Sequence, residues 1–228
     1  MTEEKNRNYS LLKETALDGG ASLFGACLHE LRENEFTGIS PDTMKKLPYA
    51  VSAGAALSGA VLDDITDHPT KLYFYHYRQV NYLLDRIALL LAKKIQDTGF
   101  SALPVPASQT IDWNKQRGAL SHRKMAAKAG LGWIGRSRLL VNPELGARLR
   151  LVTVLTDMPL AEDKPLEDGC GSCMECVNAC PAGAIKKNRD DYDFKKCFNK
   201  LDEFRKKHGI GHHICGVCVK VCRGNSAK

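Results

Sequence analysis

No run in this chain of 228 residues approaches the roughly 18 consecutive apolar residues that a membrane-spanning helix requires. The longest candidate, residues 49–62, is short and rich in Ala and Gly, and reads as a buried strand leading into a helix. The opening MTEEKNRNYS is polar and acidic. It lacks the basic and apolar segments of a secretion signal and any twin arginine, so the expectation is a cytoplasmic protein with no membrane partner. Low-complexity segments are absent, as are internal repeats beyond two sets of cysteines. A hydrophobic content of 43% excludes an intrinsically disordered chain. Cysteine is nearly missing from the first 169 residues, where Cys27 stands alone in an apolar, strand-like stretch, the setting of a buried structural thiol. The other eight cysteines fall between Cys170 and Cys222. In a reducing compartment such crowding points to metal rather than to disulfides.

The spacing narrows the metal. Cys170, Cys173, Cys176 and Cys180, followed by Pro181, make a C-x2-C-x2-C-x3-C-P run. Three thiolates two residues apart can curl around one corner of an iron–sulfur cubane. The fourth, three residues on, points away and ligates a second cluster. Pro181 stops the short helix there. The second set is Cys197, Cys215, Cys218 and Cys222. The same crossing pattern gives cluster one Cys170, Cys173, Cys176 and Cys222, and cluster two Cys180, Cys197, Cys215 and Cys218. The long gap from Cys197 to Cys215 predicts that the second site closes through a longer loop, and Arg223 stands where a proline often follows the last cysteine. A pair of four-thiolate zinc sites is the competing reading, but zinc needs neither the three-cysteine curl nor the trailing proline.

Charge is uneven along the chain. Residues 186–228 hold 12 of the 33 Lys and Arg but only 5 of the 26 Asp and Glu, so the whole formal excess of +7 lies there. Such a patch suits an acidic partner, either nucleic acid or an acidic electron donor such as a flavodoxin or ferredoxin. A solvated face beside negatively charged clusters is the plainer reading.

Upstream of the cysteines, strands and helices alternate. Helices are predicted over 9–18, 79–97 and 119–129, and strands over 21–28, 48–57, 100–105 and 149–156, the last an apolar run buried on both faces. Val80, Leu83, Leu84, Ile87, Leu91 and Ile95 share one face of the 79–97 helix, and Gly99 stops it. The predicted fold class is α/β over residues 1–160, with an acidic, proline-containing linker at 159–169 and a small cysteine module over 161–228.

A glycine-rich segment, Ala129-Gly130-Leu131-Gly132-Trp133-Ile134-Gly135-Arg136-Ser137-Arg138, follows the 119–129 helix. Glycines here permit close backbone approach, and Arg136, Ser137 and Arg138 can hold a phosphate or an amide. A tight packed turn explains the glycines equally well. His122 has the ordinary pKa of a proton donor or is a helix-capping residue. Tyr73, Tyr75, His76, Tyr77 and Tyr82 line a flat cofactor pocket or pack amphipathically with polar tips outward. His212 and His213 lie beside Cys215 in position to tune a cluster by hydrogen bonding.

Gly130-Leu131-Gly132-Trp133-Ile134-Gly135-Arg136, the Leu139-Leu-Val-Asn-Pro-Glu-Leu-Gly146 run, Leu155-Thr156-Asp157 and the cysteine module resemble the epoxyqueuosine reductases and the wider group of cobalamin-dependent reductases that includes the reductive dehalogenases. The resemblance covers roughly residues 115–228. It implies an α/β domain related to the nitroreductase fold that holds a corrinoid, with Gly130, Gly132, Trp133, Gly135, Arg136 and Ser137 near it. It also implies two [4Fe–4S] clusters that supply electrons to cobalt. Where the family carries a catalytic aspartate this chain has Gln116-Arg117-Gly118-Ala119, the nearest carboxylate is Asp112, and His122 stands where a glutamate is usual. The helical repeats with which longer members bind tRNA are not seen. These departures point away from epoxyqueuosine in tRNA without excluding it and leave the substrate unknown, a small molecule being one reading, with His122 and Asp112 as the candidate catalytic residues.

The expected protein is therefore an iron–sulfur oxidoreductase with an α/β, nitroreductase-like cofactor domain and a C-terminal two-cluster bacterial ferredoxin-like module. Two other readings stand beside it: a non-enzymatic electron-transfer subunit, and a cobalamin-reducing or cobalamin-handling protein.

Overall fold

The computed structural model describes residues 2–30, 35–113 and 116–227. In chain order its elements are α1 (Thr2–Asp18), β1 (Leu23–Leu28), α2 (Pro41–Lys46), β2 (Tyr49–Ala56), α3 (Gly59–Asp63), α4 (Lys71–Asp97), β3 (Ala102–Val105), α5 (His122–Lys128), β4 (Trp133–Ile134), β5 (Leu140–Val141), β6 (Leu149–Thr156), α6 (Glu175–Ala179), α7 (Phe194–Lys207) and α8 (Val217–Val221). They fall into two compact units. The first comprises Met1–Ala55, Asn81–Leu131 and Arg150–Leu166, and the second Ala56–Val80, Gly132–Leu149 and Glu167–Lys228. No helix of the described residues is long and apolar enough to cross a membrane.

The first unit is mixed α/β. Its four-stranded sheet has the order β1-β2-β6-β3, with β1 antiparallel to β2 and β3 antiparallel to β6. β6, in the interior of the sheet, is buried along nearly its whole length, as its unbroken apolar sequence requires. Pro104 is tolerated because β3 is an edge strand, where a missing N–H breaks no central ladder. Leu12 and Ala16 of α1 and Leu84, Ile87, Leu91 and Ile95 of α4 are buried.

Helix α4 begins eight residues earlier than its aliphatic stripe suggests. Tyr73, Phe74 and Tyr77 extend the buried face at helical spacing, and the Thr70 hydroxyl accepts a hydrogen bond from the Tyr73 N–H at 3.0 Å, capping the new start. At the other end Gly99, at φ +88°, allows Phe100 N–H to reach the Ile95 carbonyl and Gly99 N–H the Gln96 carbonyl, a Schellman stop.

The segment expected as a linker at 159–169 has no helix or strand, yet its first half is tied down. Leu160 is fully buried. Asp163 N–H donates to the Ala26 carbonyl at 2.8 Å, and the Asp163 carboxylate accepts from Ala26 N–H and from the Tyr9 hydroxyl, both at 2.9 Å. Glu162 accepts from Leu28 N–H at 3.3 Å. Acidic residues that look like linker composition thus satisfy the open edge of β1.

The second unit contains the β4–β5 hairpin, in which Trp133 pairs with Val141 and Ile134 with Leu140. It also contains α3, α6, α7 and α8. Helix α7 occupies the interval between Cys197 and Cys215, where a loop was expected. Asp193 caps it by accepting from Lys196 N–H at 2.9 Å, and Phe204 is its buried anchor.

Gly25 is the tightest point of the first unit. A Cβ there would collide with the Ala129 carbonyl oxygen and come within 2.6 Å of Leu131 Cδ1, so Gly25 lets the end of α5 lie on the sheet. Gly25→Ala is expected to destabilise the protein by about 2 kcal/mol or more, whereas Gly59→Ala, with open space around it, changes stability by no more than about 0.5 kcal/mol. Guanidinium unfolding of the two variants checks the contrast.

Candidate metal centre

Eight cysteine thiols lie in the second unit, and their surroundings sort them into two sets. The Cys176 thiol is pushed up to about 11 by burial and then by the nearby charges of Cys222, Cys170 and Cys173. Cys215 is pushed up to about 11 by burial, with Cys197 and Cys180 adding to it. Cys218 is raised by burial and by Cys215, Cys197, Cys176 and Cys180. Residues 170, 173, 176 and 222 are thus gathered together, and so are 180, 197, 215 and 218. Burial and neighbouring sulfurs favour the thiol form of Cys176, Cys215 and Cys218; a bound metal displaces the protons and offsets the repulsion. Among the described residues no three His, Cys, Asp or Glu side chains close on one point as ligands of a single ion.

The first set is held by the β4–β5 hairpin and the turn after it. Trp133 is buried against Val141 and Ala147, with Leu139, Cys170 and Cys222 packed on the same cluster. Its indole N–H donates to Cys170 Sγ at 3.4 Å. The 142–146 turn is built by Asn142, whose side-chain oxygen accepts from Glu144 and Leu145 N–H, each at 3.0 Å. Gly146, at φ +63°, is required there, since a Cβ would collide with the Cys222 carbonyl. Beyond Cys222, Asn225 N–H donates to the Pro143 carbonyl at 2.8 Å. This turn fixes the last cysteine in place of the missing proline. Backbone N–H groups of Gly224 and Ala147 favour the Cys222 thiolate, though burial raises its pKa overall.

The second set rests on different supports. Gly216, between Cys215 and Cys218, adopts φ +87°, and a Cβ there would lie 2.6 Å from Ile65 and 2.7 Å from the Tyr73 ring. Lys220 of α8 donates to the Asp63 carbonyl at 3.0 Å and the Ile65 carbonyl at 2.6 Å, which ties the helix down. Cys197 lies in the first turn of α7 and is hydrogen-bonded by the Tyr192 hydroxyl. Burial, then that bond, raises the phenol. His212 packs edge-on against Phe74 and Tyr77, and His213 stacks on Phe198 and lies 3.4 Å from Asp202.

The remaining candidates occupy varied places. In the first unit Gly130, at φ +72°, leaves only 2.8 Å between a Cβ and the Lys164 carbonyl. In the second, a Cβ at Gly132 would collide with the Val141 carbonyl, and one at Gly135 would lie 2.7 Å from Val141 Cγ2 and 3.2 Å from Cys170 Sγ. The glycines therefore permit approach to the chain itself, as in a packed turn. Arg136 donates from Nε to the Lys187 carbonyl and from Nη2 to the Gly171 carbonyl, both at 2.8 Å, and Ser137 is buried.

His122 donates from Nε2 to the Pro106 carbonyl at 2.9 Å, so its Nδ1 accepts from the Thr153 hydroxyl at 2.8 Å. Both ring nitrogens are engaged. Burial lowers its pKa to about 4, with the Arg150 charge adding to the shift against the Pro106 bond. Asp112 pairs through its backbone with Arg117 at the neck of a turn beside the exposed Trp113. Tyr73 and Tyr77 are core residues, Tyr75 and Tyr82 are exposed, and His76 accepts from Ser58 N–H at 2.9 Å. Cys27 is buried, with its thiol pushed up to about 11 by burial. Tyr192 escaped the sequence reading, and Asn142, Gly146 and Gly169 entered it only as members of the 139–146 run and the linker, with no role of their own. The one signal they carry is position: Gly169 and Gly146 flank tight approaches to Trp133 and Cys222.

Known proteins share these features. A family of 4Fe–4S double cluster binding domains matches residues 169–225. An epoxyqueuosine reductase of Bacillus cereus is 36% identical over 116 residues, covering 47% of this chain and 30% of that protein; the chain spans about a third of the length of such curated relatives. In fold, a reductive dehalogenase described in terms of B12-dependent dehalogenation superposes with a TM-score of 0.75 at 20% identity, over 96% of this chain and 32% of its own. An epoxyqueuosine reductase bound to an epoxyqueuosine-modified tRNA stem loop gives 0.66 at 23% identity, over 97% of this chain and 67% of its own. The resemblance read from the glycine loop and the cysteine module thus holds in sequence over about half of the chain and in fold over nearly all of it.

Hydrogen bonds to cluster sulfurs stabilise the reduced, more negative state. With a cluster bound through Cys197, Tyr192→Phe is expected to lower its midpoint potential by tens of millivolts, read by electron paramagnetic resonance during a redox titration. For His122 the folded state favours the neutral ring. Its contribution to stability is complete above the unfolded pKa near 6.5 and is lost as the pH falls toward about 4. The stability gap between the wild type and His122→Asn should therefore narrow from pH 7 to pH 5 in denaturant titrations.

Proposed function

We propose that this chain is an iron–sulfur reductase that carries two [4Fe–4S] clusters and supplies electrons to a corrinoid held with its α/β unit. The observation that carries the reading is the pair of cysteine tetrads, 170/173/176/222 and 180/197/215/218, within a match to double-cluster domains. Each cluster, when bound, takes up and returns one electron. The chain's own task is to hold the thiolates against their mutual repulsion. Trp133, Tyr192 and the N–H groups of Ala147, Val217 and Gly224 donate to sulfur for that purpose. Reduced thiols in this number suit the cytoplasm.

The likeness to a B12-dependent dehalogenase supports the corrinoid and a nitroreductase-like character for the α/β unit. A corrinoid supplies low-valent cobalt for reductive chemistry that side chains cannot perform. The 130–137 loop would hold it by main-chain contact, because Trp133, Arg136 and the glycines are already engaged by the chain. Of the two proton-donor candidates, His122 has both nitrogens bonded, and Asp112 lies in a turn next to the exposed Trp113. Gln116-Arg117-Gly118-Ala119 at the aspartate position favours a small-molecule substrate over the tRNA bound by the relative. The engaged loop side chains favour, as a second reading, an electron-transfer subunit that lacks a corrinoid.

Anaerobic purification from cells supplied with iron and cobalamin decides between them. About eight irons per chain with near-stoichiometric cobalt is expected. Full iron without cobalt, even after incubation with cobalamin, leaves the electron-transfer subunit, and zinc in place of iron removes both.

A further inference from the structure

The positive charge of the last 43 residues is not spread evenly once the fold is formed. On α7, Lys200 and Lys207 pair with Glu203, and Arg205 and Lys206 pair with Asp202. These bonds draw Glu203 down to about 2 and hold Asp202 well below the usual carboxylate range. Lys220 is bound by two carbonyls, Lys196 lies near Asp193, and Arg223 near Asp63. These side chains are therefore engaged inside the second unit, although the formal excess, which already counts Asp193, Asp202 and Glu203, is unchanged by the pairing.

Lys186 and Lys187 are different. Both are exposed, and neither ammonium has an acidic partner among the described residues. With Arg136, Asn188 and Asp191 they line an open depression of about 750 Å³. Arg136 is fixed there by its bonds to the Lys187 and Gly171 carbonyls, and its Nη1 is buried without a partner. Three cations against one carboxylate give the depression a positive field. Its position matters as much as its charge: Gly171 lies between Cys170 and Cys173, and Cys173 is the exposed member of the first tetrad.

We propose that this depression is the docking site for an acidic one-electron donor protein, which delivers its electron to cluster one at the Cys173 edge. The step is a plain electron transfer: the reduced donor loses one electron and cluster one gains it, with no bond or proton changing hands. Oppositely charged surfaces speed such encounters and leave them sensitive to salt. A nucleic acid would gain as much from the charge, but nothing in phosphate recognition requires a site beside a cluster ligand. The inference rests on the double-cluster reading above.

The test uses the anaerobically purified full chain, the double variant Lys186→Glu/Lys187→Glu, and a control with the same charge change on the exposed end of α2, Lys45→Glu/Lys46→Glu. Iron content is read first; absence of iron in the wild type defeats the cluster reading itself. With iron present, the first double variant should bind a purified acidic ferredoxin at least about tenfold more weakly by calorimetry at low salt. Stopped-flow reduction by that ferredoxin should slow about as much and lose its salt dependence, while dithionite reduces all three proteins at the same rate. Equal losses in the control, or donor binding and reduction unchanged in the first variant, overturn the proposal. So does a weakened grip on an RNA stem loop with donor reduction intact, which assigns the depression to nucleic acid.

Discussion

Eight sulfurs that repel one another when ionised must be held within a module of about 60 residues that has little apolar core of its own. That constraint shapes the second unit. Burial and mutual charge push Cys176 and Cys215 up to about 11, so metal binding there displaces protons and is linked to folding. What the polypeptide supplies is geometry: glycines where the backbone must pass within contact of a ligand residue, and donors aimed at sulfur. Gly135, Gly146 and Gly216 each stand where a Cβ would meet a neighbour of the cysteine seats. None of them faces an empty ligand pocket.

The supports come from outside the cysteine run. The first tetrad rests on a hairpin from 133–141 and a turn at 142–146, and the second on Ile65, Tyr73 and the carbonyls ahead of α4. Three separated stretches of chain thus build one unit. The first unit has its own version of this economy. Its edge strand is closed by Glu162 and Asp163 from a stretch without regular structure, and the half-buried Tyr9 hydroxyl finds its acceptor in the Asp163 carboxylate.

Electrostatics separates what is local from what is available. Pairs on α7 at i, i+3 and i, i+4 are exposed and contribute little to stability individually. Their larger effect is to fix those cations against carboxylates of the same helix. Lys186 and Lys187 lie with Arg136 beside Gly171 of the first cysteine run, where charge has a consequence for the rate of an encounter.

The metal-binding capacity was legible in the sequence because cysteine spacing encodes it directly: three thiols at two-residue intervals suit one cubane on any chain that can turn there. The buried strand at 149–156 and the aliphatic stripe of α4 were equally plain, since periodicity and burial are local properties. The start of α4 was hidden because Tyr73, Phe74 and Tyr77 read as a cluster of partly polar aromatics until tertiary packing buried them. Helix α7 was hidden behind a gap between cysteines, and its capping Asp193 was lost among other acids. The role of the glycine loop could not be read from its letters, because a glycine that admits a ligand and one that admits Val141 or Cys170 are the same residue. His122 shows the same limit: its sequence neighbours do not include Thr153 or Pro106, and only the fold brings those acceptor and donor groups to the ring and takes it out of the range of an ordinary histidine. Composition and spacing determined which metal chemistry this chain can support. Tertiary structure decided which side chains were left free to use it, because a residue's availability depends on its neighbours in space and not on its place in the chain.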